Sequence, residues 1–237
     1  MNTPPHVDLL ELVTGATSQD LEPGASIIVL HGLGADGSDF LPVAQAMDLS
    51  PVGPVRYVFP SAPVRPVTIN GGYAMRAWYD IHPPADEPGG VRQEDELGLR
   101  ESQAIVEQLI ERERQRGVPA ERIVLMGFSQ GCAMTLLAGL RSPHRLAGLV
   151  ALSGYLPLAP TTATEATPVS REIPVLMIHG LHDEVVVPAR GEAARDVLKD
   201  LGYNVQWATF AMGHELCMEE VSVIRDWLLE RLQVPRT

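Results

Sequence analysis

The chain has 237 residues, 45% hydrophobic and 20% charged, with no long biased tract; this excludes a disordered or fibrous protein and fits one domain spanning 1–237. Acidic residues outnumber basic ones 30 to 18, a formal charge of −12, and no Lys/Arg cluster offers a surface to nucleic acid or to anionic lipid. The start, Met1 to Leu10, lacks the basic residues of a secretory signal, and no apolar run approaches the roughly 20 residues of a membrane span. Two cysteines, Cys132 and Cys217, are too few for a disulfide framework and lack metal-site spacing. They read as small buried hydrophobes in a reducing cytoplasm.

Taken in chain order, 26–30 and 55–59 are short β-branched runs that predict strands. The region 60–90 follows, with Pro60, Pro63, Pro66, Pro83, Pro84 and Pro88 around Gly71, Gly72, Trp78 and Tyr79. It shows no periodicity and reads as one long ordered excursion, the kind of loop that serves as a lid or binding loop. Next, 97–114 carries Leu99, Val106, Leu109 and Ile110 at helical spacing. Strands are predicted at 122–126, 146–152, 174–178 and 205–210, and helices at 132–140, 189–201 and 219–232. The Thr/Pro/Ala-rich stretch 159–170 reads as an exposed connection. Short apolar strands alternating with amphipathic helices predict an α/β fold, a mostly parallel sheet covered by helices on both faces.

The sharpest motif is Gly127-Phe128-Ser129-Gln130-Gly131, between the strand Ile123-Val124-Leu125-Met126 and a helix of small residues. With 21 Gly and 11 Ser in the chain, chance alone gives G-x-S-x-G about once in twelve such sequences, so the flanking strand and helix carry the weight. In a nucleophile elbow the serine occupies a strained strand-to-helix turn, and the flanking glycines avoid collisions as the chain doubles back.

A hydroxyl needs a base to take its proton and an acid to orient that base, in the chain order Ser, Asp or Glu, His. His214, in Met212-Gly213-His214-Glu215 after the last predicted strand, has the whole context. His144 has no acid between it and Ser129, His179 reads as a satisfied turn histidine, and His182 adjoins the acid candidate and would hardly face it. That candidate is Asp183, just past a strand end in His179-Gly180-Leu181-His182-Asp183, with Pro188 opening the next helix; Glu184 is its adjacent competitor. Acyl transfer also needs oxyanion donors. They are expected at the backbone N–H of Gln130 and of Leu33, in the loop His31-Gly32-Leu33-Gly34. That loop has no phosphate-cradling pattern.

These stretches, together with Ala62-Pro63-Val64, Pro66-Val67-Thr68-Ile69-Asn70, Trp78-Tyr79-Asp80-Ile81 and Gly213-His214, make the chain similar to the phospholipase/carboxylesterase family of small bacterial carboxylesterases and acyl-protein thioesterases. The resemblance covers nearly the whole chain. It implies the α/β-hydrolase fold, a triad of Ser129, Asp183 and His214, an oxyanion hole at Leu33 and Gln130, and hydrolysis of small-molecule esters or thioesters without cofactor or metal. It further implies substrate contacts at Ile69 and Trp78. Cys132 departs from the family pattern, which often has a second glycine there. No nucleic acid or integral membrane contact is expected, and a homodimer is left open. The rival readings are a serine peptidase or other small-acyl hydrolase of the same fold, a silent acyl-binding protein, and a partner-binding domain using 60–90 as its contact surface.

Overall fold

The computed structural model describes residues 7–15, 22–83 and 93–233; the sequence readings for 1–6 and 84–90 lie outside the described residues. In the strand Ala25–Leu30 every residue is buried, as expected where a sheet is covered on both faces. Its side chains alternate between two cores. Ile28 and Leu30 pack with Leu125, Leu149 and Met177, whereas Ile27 and Val29 pack with Tyr57, Met126 and Ile178.

The central sheet contains β1 (Leu9–Thr14), β2 (Ala25–Leu30), β3 (Val55–Pro60), β6 (Ile123–Phe128), β7 (Gly148–Leu152), β8 (Val175–Gly180) and β9 (Val205–Phe210), in the order β1-β3-β2-β6-β7-β8-β9. All neighbouring strands are parallel except β1, which pairs antiparallel with β3. Helices α2 (Glu96–Gln115), α3 (Gln130–Leu140) and α5 (Pro188–Asp200) cover one face, and α1 (Leu41–Ala46) and α6 (Met218–Arg231) the other.

The six expected strands and four expected helices form, with ends displaced by at most two residues. Three elements differ from expectation. Residues 9–14 form the edge strand β1, half-exposed along its length. The excursion 60–90 contains a hairpin, β4 (Val64–Val67) and β5 (Tyr73–Arg76), joined through the turn Thr68–Asn70. The stretch 159–170 is not an exposed connection: Ala159–Glu165 is the short helix α4, and Thr162 and Ser170 are buried. Glu165 holds it there, with carboxylate oxygens 2.6 Å from Arg100 Nη2 and 2.5 Å from Arg141 Nε. The Arg100 and Arg141 guanidinium groups together bring the Glu165 carboxyl down to about 2. Among the described residues no helix is long and apolar enough to cross a membrane.

Strand order reverses at β2, because β3 lies on one side of it and β6 on the other. The carboxyl ends of β2 and β6 therefore leave a crevice, the position where such sheets place their sites.

Candidate active site

Ser129 follows the last residue of β6 and precedes the first of α3, with φ 56° and ψ −114°, a backbone region that L residues adopt only when their surroundings impose it. The surroundings here are backbone. A Cβ at Gly127 would fall on the Gly131 carbonyl, and one at Gly131 on the Leu30 carbonyl. Ser129 N–H is tied to the Leu152 carbonyl at 2.9 Å, and its own carbonyl accepts from Ala133 N–H. The hydroxyl is thereby turned out of the sheet at the positive end of the wholly buried helix α3.

The loops after β8 and β9 meet it. His214 Nε2 lies 2.9 Å from Ser129 Oγ, and His214 Nδ1 lies 2.7 Å from Asp183 Oδ2. Since a carboxylate only accepts, Nδ1 carries the proton and Nε2 keeps a lone pair for the serine hydroxyl. Asp183 is buried, and its other oxygen accepts from Val185 N–H at 2.9 Å and Val186 N–H at 2.8 Å. His179, the penultimate residue of β8, donates from Nε2 to the Val186 carbonyl at 2.7 Å, so it steadies the turn bearing the acid. Phe128 packs against the His214 imidazole, ring centroids 4.7 Å apart.

The loop after β2 is held by a second network. Ala62 N–H donates to His31 Nε2 at 2.9 Å, which leaves Nδ1 as the donor to the Gly32 carbonyl at 2.7 Å. Burial lowers the His31 pKa and keeps this neutral tautomer. Trp78 Nε1–H donates to the His31 carbonyl at 3.0 Å, while the Gln130 side chain spans the Trp78 N–H and the Tyr79 carbonyl at 2.8 and 2.7 Å. Ser102 Oγ–H caps the Trp78 carbonyl. One web thus fixes the 31–34 loop against the start of α3.

A family model described as Phospholipase/Carboxylesterase matches residues 16–231. The chain belongs to the phospholipase/carboxylesterase family. Among curated relatives, acyl-protein thioesterase 1 of Neurospora crassa is 42% identical over 214 residues, covering 88% of this chain and 87% of that one. Acyl-protein thioesterase 1 of Gibberella zeae is 38% identical, covering 93% and 95%. Among solved structures, Arabidopsis thaliana SOBER1 has a TM-score of 0.82 at 31% identity, covering 88% of this chain and 99% of its own. Zea mays acyl-protein thioesterase 2 has a TM-score of 0.79 at 28% identity, covering 94% and 99%. The protein is therefore a serine hydrolase of the esterase and thioesterase class with the α/β-hydrolase fold.

In this family member Leu33, Ser129, Gln130 and His214 open on one cavity of about 430 Å³, with Ile69 on its wall. The turn bearing Ile69 is pinned by Thr68, whose N–H and Oγ1–H donate to Asp80 at 2.7 and 2.5 Å, and by Ile69 N–H on the Ile81 carbonyl at 2.8 Å. Trp78 departs from expectation: it is fully buried and is not among the residues lining the cavity. Its indole N–H donates to the His31 carbonyl, so it supports the loop that carries Leu33. Cys132 is buried against Gly154, and burial pushes its thiol pKa up, out of nucleophile range. Cys217 is half-exposed, contrary to its reading as a buried hydrophobe.

Sequence reasoning missed Tyr155 and Arg190. Both line the cavity that holds Ser129 and a neighbouring one of about 590 Å³. Tyr155 follows the carboxyl end of β7, as the site residues follow β2, β6, β8 and β9, and that placement was its available signal.

Proposed function

We propose that the chain is one catalytic domain that hydrolyses carboxylic esters or thioesters of short to medium acyl chains through an acyl-enzyme on Ser129. The relay Ser129–His214–Asp183, at 2.9 and 2.7 Å, carries this reading. His214 takes the serine proton as Oγ attacks the acyl carbon, and Asp183 stabilises the imidazolium that forms. The tetrahedral oxyanion is received by the backbone N–H groups of Leu33 and Gln130. Collapse expels the alcohol or thiol, which leaves with the His214 proton. Water, activated by the same imidazole, then attacks the acyl-enzyme, and the carboxylic acid departs. No step calls on a metal or cofactor. The cavity of about 430 Å³, with Ile69, Val185 and Val186 on its wall, suits such an acyl chain.

The relatives named as acyl-protein thioesterases favour thioesters among the substrates. A reducing cytoplasm suits Cys132 and Cys217, neither of which is in a disulfide. The reaction groups all come from one chain, so a homodimer is not needed to complete the site.

The test is turnover of p-nitrophenyl esters and matched acyl thioesters of graded length, with Ser129→Ala alongside. Wild type is expected to turn over both classes, with a pre-steady-state burst where deacylation is slow. Ser129→Ala should lose roughly 10³-fold or more in kcat. Ester turnover surviving in Ser129→Ala would refute the reading.

A further inference from the structure

Arg190 stands in the first turn of α5 and lines both the Ser129 cavity and its neighbour. Its guanidinium carbon sits over the Tyr155 ring, 3.6 Å from the centroid. The Tyr155 hydroxyl is bonded to the Tyr79 hydroxyl at 2.7 Å, and the Tyr79 carbonyl to the Gln130 side chain. The cation is therefore held in fixed relation to the elbow. Stacking covers one face of a guanidinium and leaves the in-plane N–H donors on its edge open.

Among the described residues, Arg190 is the only Lys or Arg lining either cavity, and it enters no ion pair, although many arginines here are paired. The nearby carboxylates are engaged elsewhere: Asp80 with Thr68, Glu94 with Leu158 N–H, and Asp95 with Gly98 and Asp80 N–H. A fixed guanidinium with no ion-pair partner among the described residues, in a chain of net charge −12, is a local reversal of the protein's field, and its planar fork matches a carboxylate.

We propose that Arg190 is a specificity-determining residue that selects esters or thioesters carrying a carboxylate remote from the scissile bond. The carboxylate is received on the Ser129 side, because Asp80, Glu94 and Asp95 line the neighbouring cavity and repel it there, whereas among the described residues the exposed Asp39 is the one carboxylate on the wall of the Ser129 cavity. This rests on the hydrolase reading, since the molecule selected is the one cleaved at Ser129.

Two matched substrate pairs test it. On the acyl side, mono-p-nitrophenyl adipate is compared with p-nitrophenyl hexanoate. On the leaving-group side, 3-carboxyphenyl butyrate is compared with 3-carbamoylphenyl butyrate. In at least one pair wild type should favour the carboxylate member about tenfold in kcat/KM, and the responding pair locates the carboxylate on the substrate. Arg190→Met should lower that ratio by about 10- to 100-fold, mainly through KM, and Arg190→Lys should restore part of it. A wild-type ratio at or below one in both pairs, or one unmoved by Arg190→Met, overturns the proposal. Calorimetric binding of free adipate separates the two readings. Weaker binding to Arg190→Met without any ester turnover defeats the hydrolase reading alone; equal binding defeats the role of Arg190.

Discussion

Replacing Asp183 by Asn tests whether the acid works by fixing a proton rather than by filling space. Two backbone donors, Val185 N–H at 2.9 Å and Val186 N–H at 2.8 Å, converge on Oδ1. An asparagine must therefore turn its carbonyl oxygen to them, which places its NH₂ where Oδ2 now faces His214 Nδ1 at 2.7 Å. Two donors cannot share that contact, so the imidazole shifts its proton to Nε2 and loses the lone pair that Ser129 needs. With the turn otherwise intact, kcat should fall by about 10⁴, the loss seen when a triad aspartate becomes asparagine, and the melting temperature should change little. Stopped ester turnover and circular dichroism melting measure both. Activity within tenfold of wild type would show that the tautomer reasoning is wrong.

Three further outcomes follow from the same contacts. Glu113 is fully buried and paired with Arg56 at 2.9 Å, so Glu113→Gln leaves a nearly buried guanidinium without its main partner; denaturant unfolding should show a loss of about 3–5 kcal/mol, and a change below 1 kcal/mol would contradict it. Trp78→Phe deletes the donor to the His31 carbonyl, costing about 1–3 kcal/mol of stability and lowering kcat more than KM; a pure KM effect would instead make Trp78 a substrate contact. Glu220 is fully buried, and burial pushes its carboxyl up from 4.5 to about 7. The folded state then binds more protons than the unfolded one between those values, so stability falls as pH rises through that window. Glu220→Gln should gain up to about 3 kcal/mol relative to wild type between pH 5 and pH 8, and parallel curves would rule this out.

What could be read from the sequence was what local chemistry dictates. The elbow is legible because Gly127 and Gly131 are demanded by backbone collisions within a few residues, and the inner strands because burial on both faces makes them continuous apolar runs. Asp183 and His214 are legible because each follows a strand end. Residues 9–14 are not, since an edge strand open on one side shows no clean pattern. The hairpin is hidden by Pro66 inside β4 and by exposed Val64 and Tyr73. Trp78 misled in the other direction: an aromatic beside site residues suggests a substrate contact, whereas its role is set by the carbonyl of His31, 47 positions away. Arg190 gives no local signal, because its significance comes from Tyr155 at the end of another strand.

The most direct measurement is intact-mass and peptide-mapping mass spectrometry after a fluorophosphonate, run beside ester turnover. One adduct per chain on Ser129, with turnover lost in proportion to labelling, is the expected result. An adduct on another residue, or turnover persisting after Ser129 is fully labelled, would contradict the assignment of Ser129 as the nucleophile.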